Sequence, residues 1–260
     1  MLTSLQNPLV KQMRKLQRAK YRKQEGVFLL EGTHLLQEAI AVNWPMEVAC
    51  CTPIWCEKYP LLWQQLQVQG RAEQVSADVL TAISTTKTPD GVVAIATSKT
   101  TATPTIKSLG LVLETIQDPG NLGTIIRTAA AAGAEGLLLS ADTVDPEHPK
   151  VLRASAGAWF HLKIGICDDL QQELQHYQQQ GIQLVGTRID AEQSYWNCNL
   201  KQPTLILIGN EGAGLSPSLS DLANTHVNIP IEPAIESLNA GIAAALLLYE
   251  ARRQRGYAAT

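Results

Sequence analysis

The 260-residue chain lacks the short signatures that most often announce a chemistry. It has no Cys-x-x-Cys pair, no His-x-x-x-His, no His–Asp spacing and no carboxylate cluster suited to a metal, so no metal site is expected. Its five cysteines, Cys50, Cys51, Cys56, Cys167 and Cys198, are odd in number and suit buried thiols in a reducing compartment better than disulfides or zinc. No G-x-G-x-x-G follows the first strand of either half and no Walker loop occurs, which disfavours a conventional nucleotide-binding site. No signal peptide or membrane-length apolar run is visible, and the expectation is a soluble, cytoplasmic protein. Internal repeats are missing too.

What is present starts with an asymmetry of charge. The net charge is −3, yet Lys11, Arg14, Lys15, Arg18, Lys20, Arg22 and Lys23 all precede the first acid, Glu25. A basic opening on a mildly acidic chain fits either a polyanion contact or a solvated helix face. The length suits one large or two modest domains.

The first part reads as a small α/β layer. Asn7-Pro8 opens a basic amphipathic segment, Leu9 to Ala19, with Leu9, Met13 and Leu16 at helical spacing. Strands are predicted at Val27–Leu30, Glu47–Cys51 and Gly91–Ala96, with helices at Leu35–Ala41, Leu61–Gln69 and Ser76–Ile83, the last capped by Ser76. A polar, Thr-rich stretch with Pro104 reads as a linker over residues 99–108, dividing the chain into domains 1–98 and 109–260. The second half alternates strands and helices more clearly. Strands fall at Leu111–Ile116, Gly136–Ser140, Leu162–Ile166, Ile182–Thr187 and Leu205–Ile208. Helices fall at Leu122–Ala132, Lys150–Trp159 and Asp168–Gln180, and a long Ala/Leu helix ends near Arg255. Such alternation implies a mostly parallel sheet covered on both faces, an α/β fold.

Two loops stand out. Thr204–Ile208 is a continuous apolar run that stops at Gly209-Asn210-Glu211-Gly212-Ala213-Gly214, where the chain can bend and a ligand can approach bare backbone. A second apolar run, Val227–Ile229, meets Pro230, and Ser237-Leu238-Asn239 precedes the final helix. Paired loops beyond strand ends are where open α/β sheets bind ligands. A third loop, Asp118–Gly123, leads into a helix for which Asn121 is a candidate cap. Arg127 is the only charge in that otherwise small and apolar helix; such an arginine needs an internal carboxylate or a substrate phosphate. Arg153, among small residues, reads as a structural or RNA-contacting group.

Three ordered segments resemble the SpoU (TrmH-like) family of RNA ribose 2′-O-methyltransferases, within the SPOUT class. Asn121-Leu-Gly-Thr-Ile-Ile-Arg127-Thr is similar to the first family motif. Ile208-Gly-Asn-Glu-Gly-Ala-Gly-Leu215 is similar to the second, and Ile229-Pro-Ile-Glu-Pro-Ala-Ile-Glu-Ser-Leu-Asn239 to the third. Asn7-Pro8, Phe28-Leu-Leu-Glu31-Gly32 and Pro89-Asp-Gly91 resemble the ribosomal-protein-like substrate-binding domain that precedes many of these catalytic domains. Pro233 departs from a usual Gly, Gly241 from a common Ser, and His34 from a frequent Arg.

The resemblance implies a parallel sheet threaded into a trefoil knot, S-adenosylmethionine bent between the loops after Ile208 and Ile229, and no metal. It implies cofactor contacts at Gly209, Ile229 and Leu238, with Thr187 added, and a catalytic Arg127 oriented together with the nucleotide by Asn121, Glu211, Ser237 and Asn239. It further implies a homodimer with sites at the interface and an RNA substrate, ribosomal RNA ahead of transfer RNA. Two other readings stay open: a non-catalytic RNA-binding protein on the same fold, and a SPOUT enzyme that methylates a base nitrogen.

Overall fold

Asn7 caps helix α1 (Pro8–Leu16): its side chain accepts the Leu9 amide at 2.9 Å, and Pro8 occupies the first helical position, where an N–H would be unpaired anyway. The computed structural model describes residues 1–69, 71–99 and 103–256. The chain forms two units, Met1–Thr100 with Glu147–Phe160, and Thr101–Pro146 with His161–Thr260.

In the first unit α1 is followed by α2 (Ala19–Glu25), β1 (Val27–Glu31), α3 (Thr33–Ala41), β2 (Met46–Cys51), α4 (Pro53–Lys58), α5 (Pro60–Gln69), β3 (Arg71–Gln74), α6 (Ala77–Ile83) and β4 (Val92–Thr97). The sheet order is β1-β4-β2-β3, with β4 antiparallel to β1 and β2 and β3 parallel to β2. Ser76 caps α6 through the Val79 amide, as its position before an apolar run predicts. Strand β3 and helix α4 are not anticipated from the sequence, because a polar four-residue edge strand and a six-residue helix carry too little periodicity to register. One arginine of the basic opening is internal: Arg22 is 1% exposed.

Residues 147–160 complete this unit. The helix predicted over Lys150–Trp159 is shorter, α8 (Pro149–Ser155), and ends because Ala156 and Gly157 both take positive φ, 48° and 84°. A Cβ on Gly157 would lie 2.4 Å from Glu38 Cγ, so only glycine fits. A 3₁₀ turn, Ala158–His161, then carries Trp159, whose ring lies 5.2 Å from both Phe28 and Trp44.

The second unit is a six-stranded sheet of parallel strands in the order β10-β8-β9-β5-β6-β7. Its strands are β5 (Leu109–Leu113), β6 (Gly136–Ser140), β7 (Lys163–Cys167), β8 (Gln183–Thr187), β9 (Thr204–Ile208) and β10 (Thr225–Val227). Its helices are α7 (Pro119–Ala132), α9 (Leu170–Gln179), α10 (Pro217–Ser220) and α11 (Ala240–Arg255). Strands β5 and β9 are buried along their whole length, as continuous apolar runs in a doubly covered sheet should be. Asp169 caps α9, and Gly133 ends α7 at φ 81°. Of the expected linker 99–108, residues 100–102 lie outside the described residues, whereas Ile106 is fully buried in the core of the second unit. From β5 the chain builds outward through β6 and β7, then returns to the other side to lay down β8, β9 and β10. The reversal leaves a crevice at the carboxyl ends of β8, β9 and β10.

Candidate active site

The loop after β9 is closed by its own backbone. Asn210 and Gly214 exchange both N–H···O bonds at 2.9 Å, and the Asn210 side chain accepts the Gly212 and Ala213 amides at 2.9 and 3.0 Å. The other end of that side chain donates to the Thr115 carbonyl at 2.9 Å, tying the loop to the end of β5. A Cβ on Gly209 would sit 2.1 Å from the Gly214 backbone, so packing requires glycine there, while Gly214 is set apart by its φ of 72°. Sequence reasoning misses Asn210; its signal is an asparagine inside a glycine-rich turn, where the side chain can substitute for backbone partners.

From this loop a polar chain crosses to two helices. Asn121 donates from Nδ2 to Glu211 Oε1 at 2.9 Å, and its Oδ1 accepts from Asn239 Nδ2 at 2.8 Å. Asn239 Oδ1 then accepts the Gly241 and Ile242 amides at 2.9 and 3.3 Å and caps α11. Each amide has one productive orientation. A carboxylate only accepts, so Asn121 must turn its NH₂ to Glu211, its oxygen to Asn239, and so on to the helix N–H groups. Burial alone would raise the Glu211 carboxyl, but the bonds from Asn121 and from the amides of Glu211, Gln117 and Asp118 outweigh it and hold the group below the usual carboxylate range.

Two expectations about this helix are corrected. The cap of α7 is Asp118, which accepts the amides of Gly120 and Asn121, with Pro119 at the first position. Asn121 therefore lies within the first turn, its side chain free for Glu211 and Asn239. Arg127 is exposed: the buried face of α7 is Leu122, Ile125, Ile126 and Ala129, while Thr124 and Arg127 point outward. Among the described residues its guanidinium makes no ion pair or hydrogen bond, so the internal-carboxylate alternative falls away. Arg153, by contrast, has such a partner, in the Glu31 carboxylate of the first unit at 2.9 Å.

A cleft of about 730 Å³ lies beside the Asn210 loop, within the size range of small-molecule sites. Thr187, Gly209, Ile229 and Leu238 all line it, with Glu211 and Ser237. Thr187 is tied down by a 2.9 Å bond from Oγ1 to the Leu207 carbonyl, and Gly209 is buried. Ile189, 67% exposed, forms an apolar lip that sequence reasoning misses. Asn121, Arg127 and Asn239 are outside the cleft lining; Glu211 connects Asn121 and Asn239 to it, and Arg127 stands six residues further along α7 from Asn121. The lining of the cleft is mixed, with Ile189, Ile208, Val227 and Leu238 beside Arg188, Asp190 and Glu236, and the apolar part with its exposed backbone suits a flat heterocycle read through main-chain groups. Among the described residues no group of His, Cys, Asp and Glu is placed to hold a metal ion, and all five cysteines are free and buried.

Comparison with known proteins identifies the architecture. Residues 108–249 match the SpoU rRNA Methylase family, and residues 7–94 match the MRM3-like substrate binding domain. The chain belongs to the SpoU methylase family. It is 47% identical, over 100% of its length and 96% of the relative's, to an uncharacterized tRNA/rRNA methyltransferase of Synechocystis. It is 30% identical, over 96% of its length and 98% of the relative's, to the 23S rRNA (guanosine(2553)-2′-O)-methyltransferase RlmP of Bacillus subtilis. The structure of an AdoMet-bound rRNA methyltransferase from Sinorhizobium meliloti superimposes with a TM-score of 0.85 at 32% identity, covering 97% of each chain. In keeping with that likeness, the fold is α/β with a parallel sheet. Of the departures from the SpoU pattern, Gly241 has a local reason. A Cβ there would lie 3.1 Å from Asn239 Oδ1 and 3.3 Å from Thr124 Cγ2, close to the polar chain. Pro233 is exposed, and His34 is exposed with its ring Nε2 3.3 Å from the Ala156 carbonyl.

Proposed function

We propose that this chain is an enzyme that transfers a methyl group from S-adenosylmethionine to a ribose 2′-hydroxyl of RNA, with ribosomal RNA as the substrate class. Beyond family membership, the reading rests on one observation: a backbone-lined cleft joined through Glu211 and Asn121 to the helix that presents Arg127, which has no partner among the described residues. The residues present fit the cofactor. Gly209, Ile229 and Leu238 offer main-chain groups and Thr187 a tethered hydroxyl around a part-apolar cleft of suitable size. When bound, S-adenosylmethionine supplies a methyl group on a positively charged sulfur.

The chain's own task is to align a weak oxygen nucleophile and to stabilise charge growing on it. Arg127 holds the neighbouring phosphate and lowers the cost of the 2′-oxyanion; a guanidinium stays protonated in proteins and is a poor base. Ser237 orients the nucleotide, and Asn121, Glu211 and Asn239 fix the first turn of α7 and thereby the path to Arg127. Residues 1–98 serve as the RNA-binding part and 109–260 as the transferase, joined by 99–108.

The same reading includes a homodimer, a trefoil knot and a cytoplasmic location. Ile242 and Tyr249, about half exposed on α11, and the outward face of α7 support the dimer. Strand β9 lying between β5 and β8, with α11 returning along α7, supports the knot. The buried free thiols support a reducing compartment.

The test is methylation of ribosomal RNA by purified protein with labelled cofactor, followed by nucleoside analysis and site mapping. A 2′-O-methylnucleoside is the expected product. A base-methylated nucleoside, or cofactor binding without transfer to any RNA, overturns the reading. Calorimetry with and without EDTA checks the metal-free binding of one cofactor per chain, and a loss of binding in EDTA counts against it.

A further inference from the structure

We propose that the outward faces of α1 and α2 form a docking surface for the phosphate backbone of the RNA substrate. The proposal deepens the proposed function and rests on RNA being the substrate.

The sequence of α1 divides cleanly. Leu9, Val10, Met13 and Leu16 enter the core of the first unit, while Lys11, Arg14 and Lys15 lie on the exposed side. Arg18 is exposed at the junction of the two helices, and Lys20 and Lys23 are exposed on α2. Among the described residues none of these six cations is in an ion pair. The one acid of the segment, Glu25, stands at its far end and accepts from Gln12 Nε2 at 2.9 Å. An unneutralised cationic face repels itself and costs stability, so it needs an anionic partner to be useful.

The fold also holds this face in shape. Arg22, fully buried, donates from Nη1 to the Leu16 carbonyl at 2.9 Å, satisfying a last-turn carbonyl of α1 from within α2. Gln17 donates to the carbonyls of Ala82 and Ser84 at 3.3 and 3.2 Å, pinning the same helix end to the body of the unit. Lys15 rests 5.8 Å from the centroid of the Tyr21 ring, which brings an α1 cation against α2. One arginine of the basic opening thus ties the end of α1 to α2 from inside the unit, and six cations are exposed on the two helices. A solvated helix would need no such bracing. Because the residues are lysines and arginines exposed on helix faces, they read charge rather than sequence.

The experiment measures binding of domain-length 23S rRNA transcripts as a function of salt. It compares wild type, a variant carrying Lys11→Gln, Arg14→Gln, Lys15→Gln and Arg18→Gln, and a second variant carrying Lys20→Gln and Lys23→Gln. Each lost phosphate contact flattens the log–log slope by about 0.7–0.9, so the fourfold variant should flatten it by about 3–3.5. The twofold variant should flatten it by about 1–2. Cofactor affinity, read by calorimetry, should stay unchanged in both. An unchanged slope in folded variants overturns the proposal. So does wild-type binding to vesicles of phosphatidylglycerol and phosphatidylcholine that matches or exceeds binding to RNA. If the fourfold variant does not fold, the twofold variant decides by the same criterion. Ribose methylation is scored separately: a flattened slope with no 2′-O-methyl product sinks the enzymatic reading and keeps the surface, and the reverse result sinks the surface alone.

Discussion

Each unit contains a glutamate in a hydrogen-bonded cluster and an arginine on a nearby helix, and the two clusters use the same groups in opposite ways. Glu31 of the first unit is 5% exposed and saturated. It accepts from the Thr85 amide and hydroxyl at 2.9 and 2.6 Å, from the Thr86 amide at 2.8 Å, from the Thr86 hydroxyl and from Arg153 at 2.9 Å. Burial raises its carboxyl, but the bonds from Thr85 and Thr86 more than compensate and leave it below the usual range. Glu211 of the second unit is half-buried, takes one side-chain bond, from Asn121, and faces the cleft. Arg153 is held by Glu31 and Thr85, whereas Arg127 is held by nothing among the described residues. A carboxylate and a guanidinium that satisfy each other have committed their capacity to the fold. Groups left with open valences have that capacity for a ligand, at some cost to stability.

The largest effect should come from breaking the open side. Arg127→Ala should lower single-turnover methylation by about 10²–10³, the usual loss for one charged donor at a developing oxyanion. The melting temperature and cofactor affinity should not move. Arg127→Lys should rescue poorly, because an ammonium cannot reproduce the planar two-pronged contact. Near-normal turnover in Arg127→Ala would show that the two arginines differ in exposure only.

Breaking the closed side should change stability and leave the cofactor site alone. Glu31→Gln removes one partner of a buried, hydrogen-bonded pair and should cost about 2–4 kcal/mol in urea unfolding. The effect should depend on pH. The folded pKa of Glu31 lies below its unfolded value of about 4.3, so its stabilisation is complete above that value and disappears as pH falls through the folded pKa. Wild type and Glu31→Gln should therefore differ most near neutrality and converge in strong acid. A gap that stays constant down to about pH 2.5 would mean that the carboxylate charge is not what matters.

The smallest effect sharpens the role of the polar chain in the second unit. Asn239→Ala should cost about 1 kcal/mol through loss of the α11 cap. It should also release Asn121, so methylation should fall by more than stability accounts for, while Asn239→Asp should recover the cap and not the bond to Asn121. Wild-type activity in both variants, once corrected for folded fraction, would reduce Asn239 to a helix cap.

Much of this is legible along the chain. The apolar runs that become β5 and β9, the cap at Ser76, and the two loops that line the cleft all rest on interactions within a few residues. The departures have a common source. Asn121 reads as a cap because it precedes an apolar helix, yet Asp118-Pro119 three residues earlier makes the stronger start. Arg127 reads as enclosed because its neighbours are small and apolar; composition gives the character of a helix, while the face that turns outward depends on what packs against it. Arg22 departs the other way, as one more cation in a basic run that the fold draws inside to bind Leu16.

Sequence alone determined the class of fold and the location of the loops, since continuous apolar runs, alternation with helices and glycine-rich turns are local properties with local causes. Tertiary structure decided which of those loops meet. Asn121 bonds to Glu211 across 90 residues of sequence and to Asn239 across 118, distances at which no periodicity or turn preference carries information. Parallel strands are joined by crossovers long enough to reach several positions in a sheet, so strand order follows from the packing of the whole layer. That order, β10-β8-β9-β5-β6-β7, is what places three strand ends around one cleft.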